Sequence, residues 1–291
     1  MATGTIEQGF LTFHSRLIPS GYSTGKAASH KTSITRRLED YFDLKQLFYS
    51  GSANNGTSIA NYSDIDFFAS IPTNKLKKNS SITLREIKEC MQERFQFTNI
   101  YVDTPAVVLD FGNADWDTAE IIPADYVKEK EGKNVYEIPN GLGGWTKSSP
   151  SLHNSYVTSE NDRLSKKLKP LIRFLKAWKY YCNVPISSFY LELRATKLME
   201  SEDTIAYDID LKNIFKNLYE NNLAALQDPK GVSGYIYPCT TDAKKEDALS
   251  KLKTAYTRAQ KARDAEYVHK TRDSFYWWNK LFDGNFPSYY Y

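Results

Sequence analysis

The sequence contains few of the residues that build disulfide or zinc frameworks. Its 291 residues include three cysteines, Cys90, Cys182 and Cys239, which lie far apart and form no C-x-x-C pair. The four histidines are equally scattered, and none lies at metal-ligand spacing from a cysteine. Structural zinc sites take four such ligands at short spacings. We therefore expect neither a zinc ribbon nor a disulfide framework, and we expect a reducing compartment.

Long apolar segments and a strong excess of one charge are also missing. No apolar run approaches the ~20 residues that span a bilayer, and the N-terminal residues lack the basic and apolar regions of a secretory signal. These features predict a cytoplasmic protein without membrane association. Lys plus Arg number 38 and Asp plus Glu 35, so the formal net charge is only +3. A protein that grips duplex nucleic acid with its whole surface needs a larger positive excess.

What is present is the composition of a folded domain, with 41% hydrophobic and 25% charged residues. Apolar patterns predict strands at 44–50, 64–72, 98–102, 105–111 and 119–126, and helices at 5–18, 33–43 and 82–94. Residues 21–25 and 138–150 are predicted loops. From about residue 154 the spacing is helical, beginning with a helix at 160–181. We predict an α+β fold of two lobes, a mixed sheet with helices at 1–155 and a helical lobe at 156–291.

The most informative stretch is GSANNGTSIANYSDIDFF, residues 51–68. Gly51 and Ser52 follow a predicted strand, where a glycine lets the backbone approach a ligand and a helix start attracts phosphate. Asp64 and Asp66 lie two apart on a strand and project from one face. Two such carboxylates repel unless a cation lies between them. Together with a later carboxylate, at Glu120 or Asp110, they predict a site for two metal ions.

A simpler interpretation exists for each part of this stretch. A Gly-Ser pair is typical of any turn, and two aspartates on a half-exposed strand are ordinarily solvated. The combination is more specific, because the Asp-Ile-Asp pair opens directly into the apolar run FFASI. Charges at the mouth of a buried strand are costly unless they serve a purpose, so the pattern favours a functional site.

This combination resembles the nucleotidyltransferase superfamily related to DNA polymerase beta, and within it the oligoadenylate synthase and cyclic GMP-AMP synthase branch. GSANNGT (51–57) is similar to the family's GSxxxGT phosphate element, and SDID (63–66) to its first two metal carboxylates. The strands within 105–126 resemble a family pair whose second strand carries the third carboxylate. The resemblance thus implies Glu120 as third ligand, where the family more often has Asp, with Asp110 as an alternative or auxiliary.

A second resemblance lies in the helical half. Residues 163–179, RLSKKLKPLIRFLKAWK, contain seven basic residues and no acidic one. Helical geometry places Lys166, Lys169, Arg173 and Lys176 on one side, which by itself is equally typical of a solvated face. The family likeness, which continues in ISSFYLELRA (186–195), implies that Lys176 and Arg173 contact the donor triphosphate. It also implies that Ser188 touches phosphate and that Phe189 stacks on a base, although such an aromatic is as often part of a core.

The resemblance implies a function as well as a fold. Bacterial members of this branch make cyclic dinucleotide or oligonucleotide signals in anti-phage defence. It implies an active cleft between the lobes, two Mg²⁺ ions that Mn²⁺ can replace, and nucleoside triphosphates (ATP and GTP, or pyrimidine triphosphates) as substrates. The product would be a cyclic di- or trinucleotide that activates a downstream effector.

Two other functions stay open at this point. The same carboxylates serve transferases that add a nucleotide to an RNA end, a protein or a small molecule. A catalytically inactive nucleotide- or RNA-binding module is the second alternative, which the intact Gly51, Ser52, Asp64 and Asp66 disfavour. Because the chain has no Cys/His cluster, we do not expect the zinc-dependent DNA sensing of the animal synthases.

Overall fold

The computed structural model describes residues 4–19, 21–112 and 118–290. Its strands are β1 (Gln46–Tyr49), β2 (Ile65–Ser70), β3 (Asn99–Asp103), β4 (Ala106–Asp110), β5 (Thr118–Lys130), β6 (Lys133–Pro139), β7 (Trp145–Ser148), β8 (Leu226–Gln227) and β9 (Tyr235–Ile236). Its helices are α1 (Ile6–Leu17), α2 (Gly21–Phe42), α3 (Gly51–Asn55), α4 (Ser80–Arg94), α5 (Pro150–Arg163), α6 (Leu168–Tyr181), α7 (Ser188–Met199), α8 (Tyr207–Glu220), α9 (Asp242–Tyr267) and α10 (Thr271–Leu281).

Seven strands form one mixed sheet. Five of them follow the order β1-β2-β5-β4-β3, and β6 and β7 extend it from the far part of β5. Strands β2 and β5 are parallel, whereas the other neighbours are antiparallel. The chain thus places β5 at the centre, between the strand that carries the predicted aspartate pair and the β4–β3 hairpin.

Strand alternation gives this sheet two different faces. On one face Phe67, Val107 and Ile121 pack in a large core with Ile34 of α2 and Ile87 of α4. The residues next to them in sequence point the other way, where a smaller cluster forms from Phe68, Ala106, Ile122, Ala124 and Tyr136. Period-two alternation therefore buries one face under helices and leaves polar positions on the other available for chemistry.

The helical part of the chain has an aromatic core. Phe10 of α1 lies 5.1 Å from Phe174 of α6 and 5.0 Å from Trp278 of α10, measured between ring centroids. Phe13 packs on Phe174 at 5.7 Å and on Phe282 at 4.6 Å. Offset and edge-on pairs at these distances add to the free energy gained by burying the rings. The first helix is therefore anchored on α6 and α10.

The chain divides into two compact units. The sheet unit comprises residues 19–156 with the short segment 230–233, and the helical unit comprises the segment up to Ile18, 157–229 and 234–291. Helix α1 belongs to the helical unit, whereas the predicted lobe boundaries had assigned residues 1–155 to the sheet lobe. The reason is the aromatic packing just described, which the order of the chain does not reveal.

Several local predictions were wrong. Helix α2 begins at Gly21, where a loop was predicted for 21–25 from glycine, serine and threonine, whose low helix propensity is only a weak guide. The single helix predicted at 160–181 is interrupted at Ser165 and Lys166, which both have positive φ. Part of the predicted loop 138–150 forms β7, paired with β6. Among the described residues we find no helix with both the length and the apolar character that a membrane crossing requires.

Candidate active site

The turn after β1 brings a glycine against a carboxylate. Ser50 N donates to the carbonyl oxygen of Asp66 at 2.9 Å, which ties the start of α3 to β2. Gly51 has a φ of +53°, and a Cβ built on it would lie 2.0 Å from Asp66 Oδ2. Only glycine fits here, since both the backbone conformation and the space exclude a side chain. Gly51 thus lies directly against the Asp66 side chain.

The rest of the GSANNGT segment closes a short helix. Gly56 ends α3 in the left-handed conformation with φ +65°. Thr57 is buried, and its N–H donates to the Ser52 carbonyl oxygen at 3.0 Å. The hydroxyls of Ser58 and Ser52 are 3.3 Å apart. Internal bonds therefore fix the position of Ser52, whose hydroxyl and backbone were predicted to face a phosphate.

Two of the predicted carboxylates, Asp66 and Glu120, occupy one row across the sheet. Asp66 on β2 is the register partner of Glu120 on β5, so both project from the same face. Asp64 lies two residues before Asp66, at the entry to β2. Burial, and next the negative charges of both aspartates, raise the pKa of Glu120. Asp66 and Glu120 are thus side by side, and Asp64 lies near enough for its charge to act on Glu120.

Electrostatics in this row are unfavourable without a cation. Burial raises the pKa of Glu120 to about 8, and the charges of Asp66 and Asp64 and a hydrogen bond to Asp66 add to the rise. A protonated Glu120 can share a hydrogen bond with Asp66, whereas two ionised carboxylates at this distance repel. A cation between them would replace that proton. The donor set, hard carboxylate oxygens alone, suits Mg²⁺ or Mn²⁺.

The arrangement fits a metal site without forming a closed cage. Within residues 4–19, 21–112 and 118–290, no three His, Cys, Asp or Glu side chains converge on one ion position. The nearest approach is the hydrogen-bonded Asp66–Glu120 pair. Since Mg²⁺ usually takes only one or two protein carboxylates and completes its shell with water and substrate phosphates, such a partial set suits this ion.

Asp110 is close to the row but not in it. It pairs with Thr118 of β5 and Asn99 of β3, two positions along from the Val108–Glu120 pair. Two positions along a strand is ~6.6 Å. Glu120, and not Asp110, is therefore opposite Asp66, which supports Glu120 as the third carboxylate.

Lys176 differs from its prediction. The sequence placed it on a solvated face, but only 2% of it is exposed, and its Nζ lies 2.7 Å from Glu192 Oε2 of α7. The helical-wheel argument gave the correct side of α6, but α7 covers that side at this point. Lys176 is thus one half of a buried ion pair. The other basic residues predicted on this side of the helix are not buried in the same way.

Arg173 is held by a histidine. Its Nη1 lies 2.8 Å from His14 Nε2 of α1. Burial, and next the Arg173 charge, lower the pKa of His14 to about 4, so the imidazole is neutral and accepts the bond. Lys169 meanwhile donates to Thr158 at 3.1 Å, and Lys166 precedes α6. The predicted continuous basic stripe is therefore divided into separately bonded groups.

Ser188 and Phe189 lie at the start of α7. Lys179 Nζ donates to Ser188 Oγ at 2.7 Å. Ser187, not Ser188, caps the helix, through a bond from Tyr190 N at 3.3 Å. The Phe189 ring is 42% exposed, which fits a base platform better than a core position.

Sequence reasoning missed two partners in the helical unit. Glu192 was a readable signal, because a single acid within the apolar run FYLEL indicates a buried charge that needs a partner. His14 gave no such signal. It meets Arg173 from 159 residues away in the sequence, which only the aromatic packing of α1 brings about.

A comparison with protein families decides the class of this site. The model described as the Second Messenger Oligonucleotide or Dinucleotide Synthetase domain matches residues 5–161, more than half of the chain. The chain belongs to this synthetase family. It is accordingly a nucleotidyltransferase of the second-messenger class, as the motifs had implied.

Relatives of this synthetase agree with the assignment. A probable cyclic nucleotide synthase of Bacillus cereus (strain VD146) is 25% identical over 279 residues, which cover 91% of this chain and 82% of the relative. The structure of Vibrio cholerae DncV cyclic AMP-GMP synthase, in complex with the linear intermediate pppA(3′,5′)pG, matches with a TM-score of 0.78 at 13% identity, covering 99% of this chain and 98% of that one.

Two further structures share the fold. That of E. coli MS115-1 CdnC with ATP has a TM-score of 0.73 at 18% identity and covers 97% of this chain and 98% of its own. That of Elizabethkingia meningoseptica CdnE cyclic dinucleotide synthase, with GTP and Apcpp, has a TM-score of 0.62 at 19% identity, covering 90% and 98%. These likenesses confirm the predicted α+β nucleotidyltransferase fold.

Proposed function

We propose that this synthetase joins nucleoside triphosphates into a cyclic di- or trinucleotide messenger and releases one pyrophosphate for each linkage. The observation that carries the proposal is the contact of Gly51 with Asp66, beside the register pair Asp66–Glu120. The turn at Gly51, which we propose binds phosphate, lies directly beside these carboxylates. Nucleotidyl transfer needs this combination, because the reacting phosphate must be both held and neutralised.

Asp64, Asp66 and Glu120 would hold two Mg²⁺ ions, or Mn²⁺ in their place. When bound, these ions supply positive charge to the attacking and leaving oxygens. The raised pKa of Glu120, at about 8, supports this proposal, since it reflects burial first and then the charges of Asp66 and Asp64, and a cation would offset both.

The chain's own groups account for the remaining steps. Ser52 and the backbone at Gly51 bind the triphosphate and orient it. A ribose hydroxyl of a second nucleotide attacks the α-phosphorus; the new O–P bond forms as the bond to pyrophosphate breaks. In this proposal Glu120 would take the hydroxyl proton on a carboxylate oxygen and pass it to water. A second attack of the same kind closes the ring.

The helical unit would bind the triphosphate and its base. Ser188 and Arg173 are proposed phosphate contacts, and Phe189 a base platform. The bond from Lys179 to Ser188, 2.7 Å long, adds a cation beside the serine. For Lys176 the proposal changes: its pairing with Glu192 makes it a support for α6 and α7, and its predicted direct contact with phosphate is tested below.

The product would act as a signal in anti-phage defence, through an effector that binds it. The names of the relatives, a cyclic nucleotide synthase and a cyclic AMP-GMP synthase, support a cyclic product. A cytoplasmic location remains a prediction from the sequence.

Mass spectrometry of reaction products tests the proposal. The purified chain is incubated with all four triphosphates and Mg²⁺, and the products are treated with phosphatase. We expect pyrophosphate and a phosphatase-resistant species whose mass is that of a ring of two or three nucleotides. A product found only on an added RNA, protein or small molecule would establish the alternative transferase function.

The matched control carries Asp64→Asn and Asp66→Asn. These substitutions keep the shape of both side chains and remove their charge, so the fold should be retained and synthesis abolished. Continued synthesis by this variant would contradict the metal assignment. Pyrophosphate release by neither protein would contradict the proposed function itself.

A further inference from the structure

Tyr101 belongs to the same row of the sheet as the carboxylates. Glu120 pairs with Val108 on β4, and Val108 pairs with Tyr101 on β3. Residues paired across strands project from one face, and neighbouring strands lie ~4.8 Å apart, so the backbones of Tyr101 and Glu120 are separated by roughly 10 Å. The row therefore runs Asp66, Glu120, Val108, Tyr101, and ends on the last strand of the order β1-β2-β5-β4-β3.

The phenol is the first polar side chain beyond Glu120 in this row. Val108 between them is buried, with 2% exposed, whereas Tyr101 is 43% exposed. Burial raises the pKa of Tyr101, and several carboxylates add to the rise, namely Asp103, Asp110, Asp64 and Glu120. The phenol is thus near enough to the carboxylates to feel their charge, and it remains a protonated hydrogen-bond donor at neutral pH.

The geometry of the row separates the two substrates. Gly51, in the proposed phosphate-binding turn, contacts Asp66 from the β1 side. In an in-line displacement the leaving and attacking oxygens lie on opposite sides of the phosphorus. If pyrophosphate leaves on the side of β1, the attacking hydroxyl arrives from the other side of the row, over β5, β4 and β3. Tyr101 lies on that side.

We propose that Tyr101 binds the acceptor nucleotide, with its hydroxyl donating a hydrogen bond to the base or ribose of the nucleotide that attacks. This inference rests on the proposed function and deepens it. It assigns β3 to the acceptor and the β1–α3 turn to the donor, so that substitutions on the two sides affect different substrates.

Two modified triphosphates separate donor from acceptor. A 2′,3′-dideoxynucleoside triphosphate serves only as donor, because it has no ribose hydroxyl with which to attack. An α,β-methylene triphosphate serves only as acceptor, because its α,β bridge is not cleaved. Pyrophosphate release from such a pair, with each base tried in turn, reports one transfer and yields a KM for each partner.

For Tyr101→Phe we expect the acceptor KM to rise about threefold to tenfold, the usual effect of one neutral hydrogen bond, with the donor KM changed less than twofold. Fluorescence-detected binding of a labelled α,β-methylene triphosphate, after saturation with a 2′,3′-dideoxy-α,β-methylene triphosphate that can neither donate nor attack, provides a second readout without turnover, and it should weaken by the same factor. Normal acceptor constants in an active variant would overturn the inference, and so would an equal rise in both constants.

Tyr126→Phe is the matched control. Tyr126 is 44% exposed, and alternation along β5 puts it on the same face as Glu120, six residues and ~20 Å away. The donor KM and the acceptor KM of Tyr126→Phe should equal those of the unsubstituted chain. An unsubstituted chain that releases no pyrophosphate from any triphosphate, modified or natural, would remove the proposed function and this inference with it; an active chain with a normal Tyr101→Phe removes the inference alone.

Discussion

Like charges lie together in the carboxylate row of the sheet unit, whereas charged groups on α6 of the helical unit pair with opposite or complementary groups. Asp66 and Glu120 are register partners, and their proximity contributes to a Glu120 pKa of about 8. On α6, by contrast, Lys176 lies 2.7 Å from Glu192, and Arg173 lies 2.8 Å from His14. The carboxylate pair gains stability when a cation is added, whereas the charged groups on α6 already have partners. The position of a residue near a motif does not show which case applies; the group that lies against its charge does.

The difference predicts opposite responses to neutralising a single charge. Removing one carboxylate from a repelling set relieves strain and removes function. Removing one member of a buried ion pair leaves the other charge desolvated and alone, which typically costs ~3–5 kcal/mol. Substitutions in the sheet unit should therefore change catalysis with little loss of stability, and substitutions of the buried pair should do the reverse.

The largest effect is expected for Gly51→Ala. The new Cβ would lie 2.0 Å from Asp66 Oδ2, so the carboxylate or the turn must move by more than an ångström. A shift of ~1 Å at a reacting centre can lower turnover about a hundredfold. We expect at least that loss in pyrophosphate release.

Gly56→Ala is the control for backbone strain. Gly56 also has a positive φ, +65°, but an added Cβ would meet nothing within 4 Å. It should cost about 1–2 kcal/mol of stability and leave turnover near normal. Equal losses of turnover at the two glycines would show that strain, not the contact with Asp66, is responsible.

Lys176→Ala should lower the free energy of unfolding by ~3–5 kcal/mol. A lysine on a solvated face would instead give almost no change in stability. Chemical denaturation measures the difference. Replacing both partners, Lys176→Met with Glu192→Leu, should restore most of the stability, because no buried charge is then left unpaired.

The doubly substituted chain also decides the role of Lys176 in binding. A folded double variant with a normal KM for triphosphate would mean that the pair is purely structural. A triphosphate KM raised tenfold or more in that folded variant would show that Lys176 contacts phosphate, as the family resemblance implies.

The metal-free chain should lose stability as the pH rises from about 4.5 to about 8. Glu120 has a pKa raised from 4.5 to about 8, so the folded state holds a proton that the unfolded chain releases. Such a group stabilises the fold below its unfolded value, and its contribution is lost as pH rises through the folded value. Thermal melting in EDTA should show a fall of roughly a few degrees across this range.

Glu120→Gln and added Mg²⁺ should both flatten that pH profile. The amide does not ionise, and the ion replaces the proton between the carboxylates. A profile that is unchanged in Glu120→Gln would show that other groups cause the loss of stability.

The smallest effect is expected for Ser188→Ala. Loss of one hydroxyl contact to phosphate should raise the triphosphate KM about threefold to tenfold, with thermal stability nearly unchanged. Ser187→Ala is the matched control, since Ser187 caps α7; it should cost about 1 kcal/mol of stability and leave the KM unchanged. The reverse pattern at the two serines would remove Ser188 from the proposed site.

The parts of the site that were predictable are those set by short-range geometry. Asp66 lies on β2 as predicted, whereas Asp64 precedes that strand. Glu120 was implied by the family resemblance, since the residue pattern alone left Asp110 open as well. The turn at Gly51 could be predicted because glycine is favoured where φ is positive and where a neighbouring group leaves no room for a side chain.

What escaped prediction depends on contacts between distant segments. A helical wheel gave the direction of Lys176 but not the helix that covers it. His14 reaches Arg173 only because Phe10 and Phe13 anchor α1 in the helical unit. The position of Tyr101 in the carboxylate row depends on the registers of three strand pairs, which no local pattern specifies.

Mn²⁺ binding tests the central claim most directly. Electron paramagnetic resonance can count the Mn²⁺ ions bound per chain in the presence of an α,β-methylene triphosphate, with free nucleotide–metal complex subtracted. The account predicts two ions for the unsubstituted chain, one for Glu120→Gln, and none for the chain carrying Asp64→Asn and Asp66→Asn. Two ions bound by all three proteins would contradict the metal assignment, because Asp64, Asp66 and Glu120 would then not hold the ions.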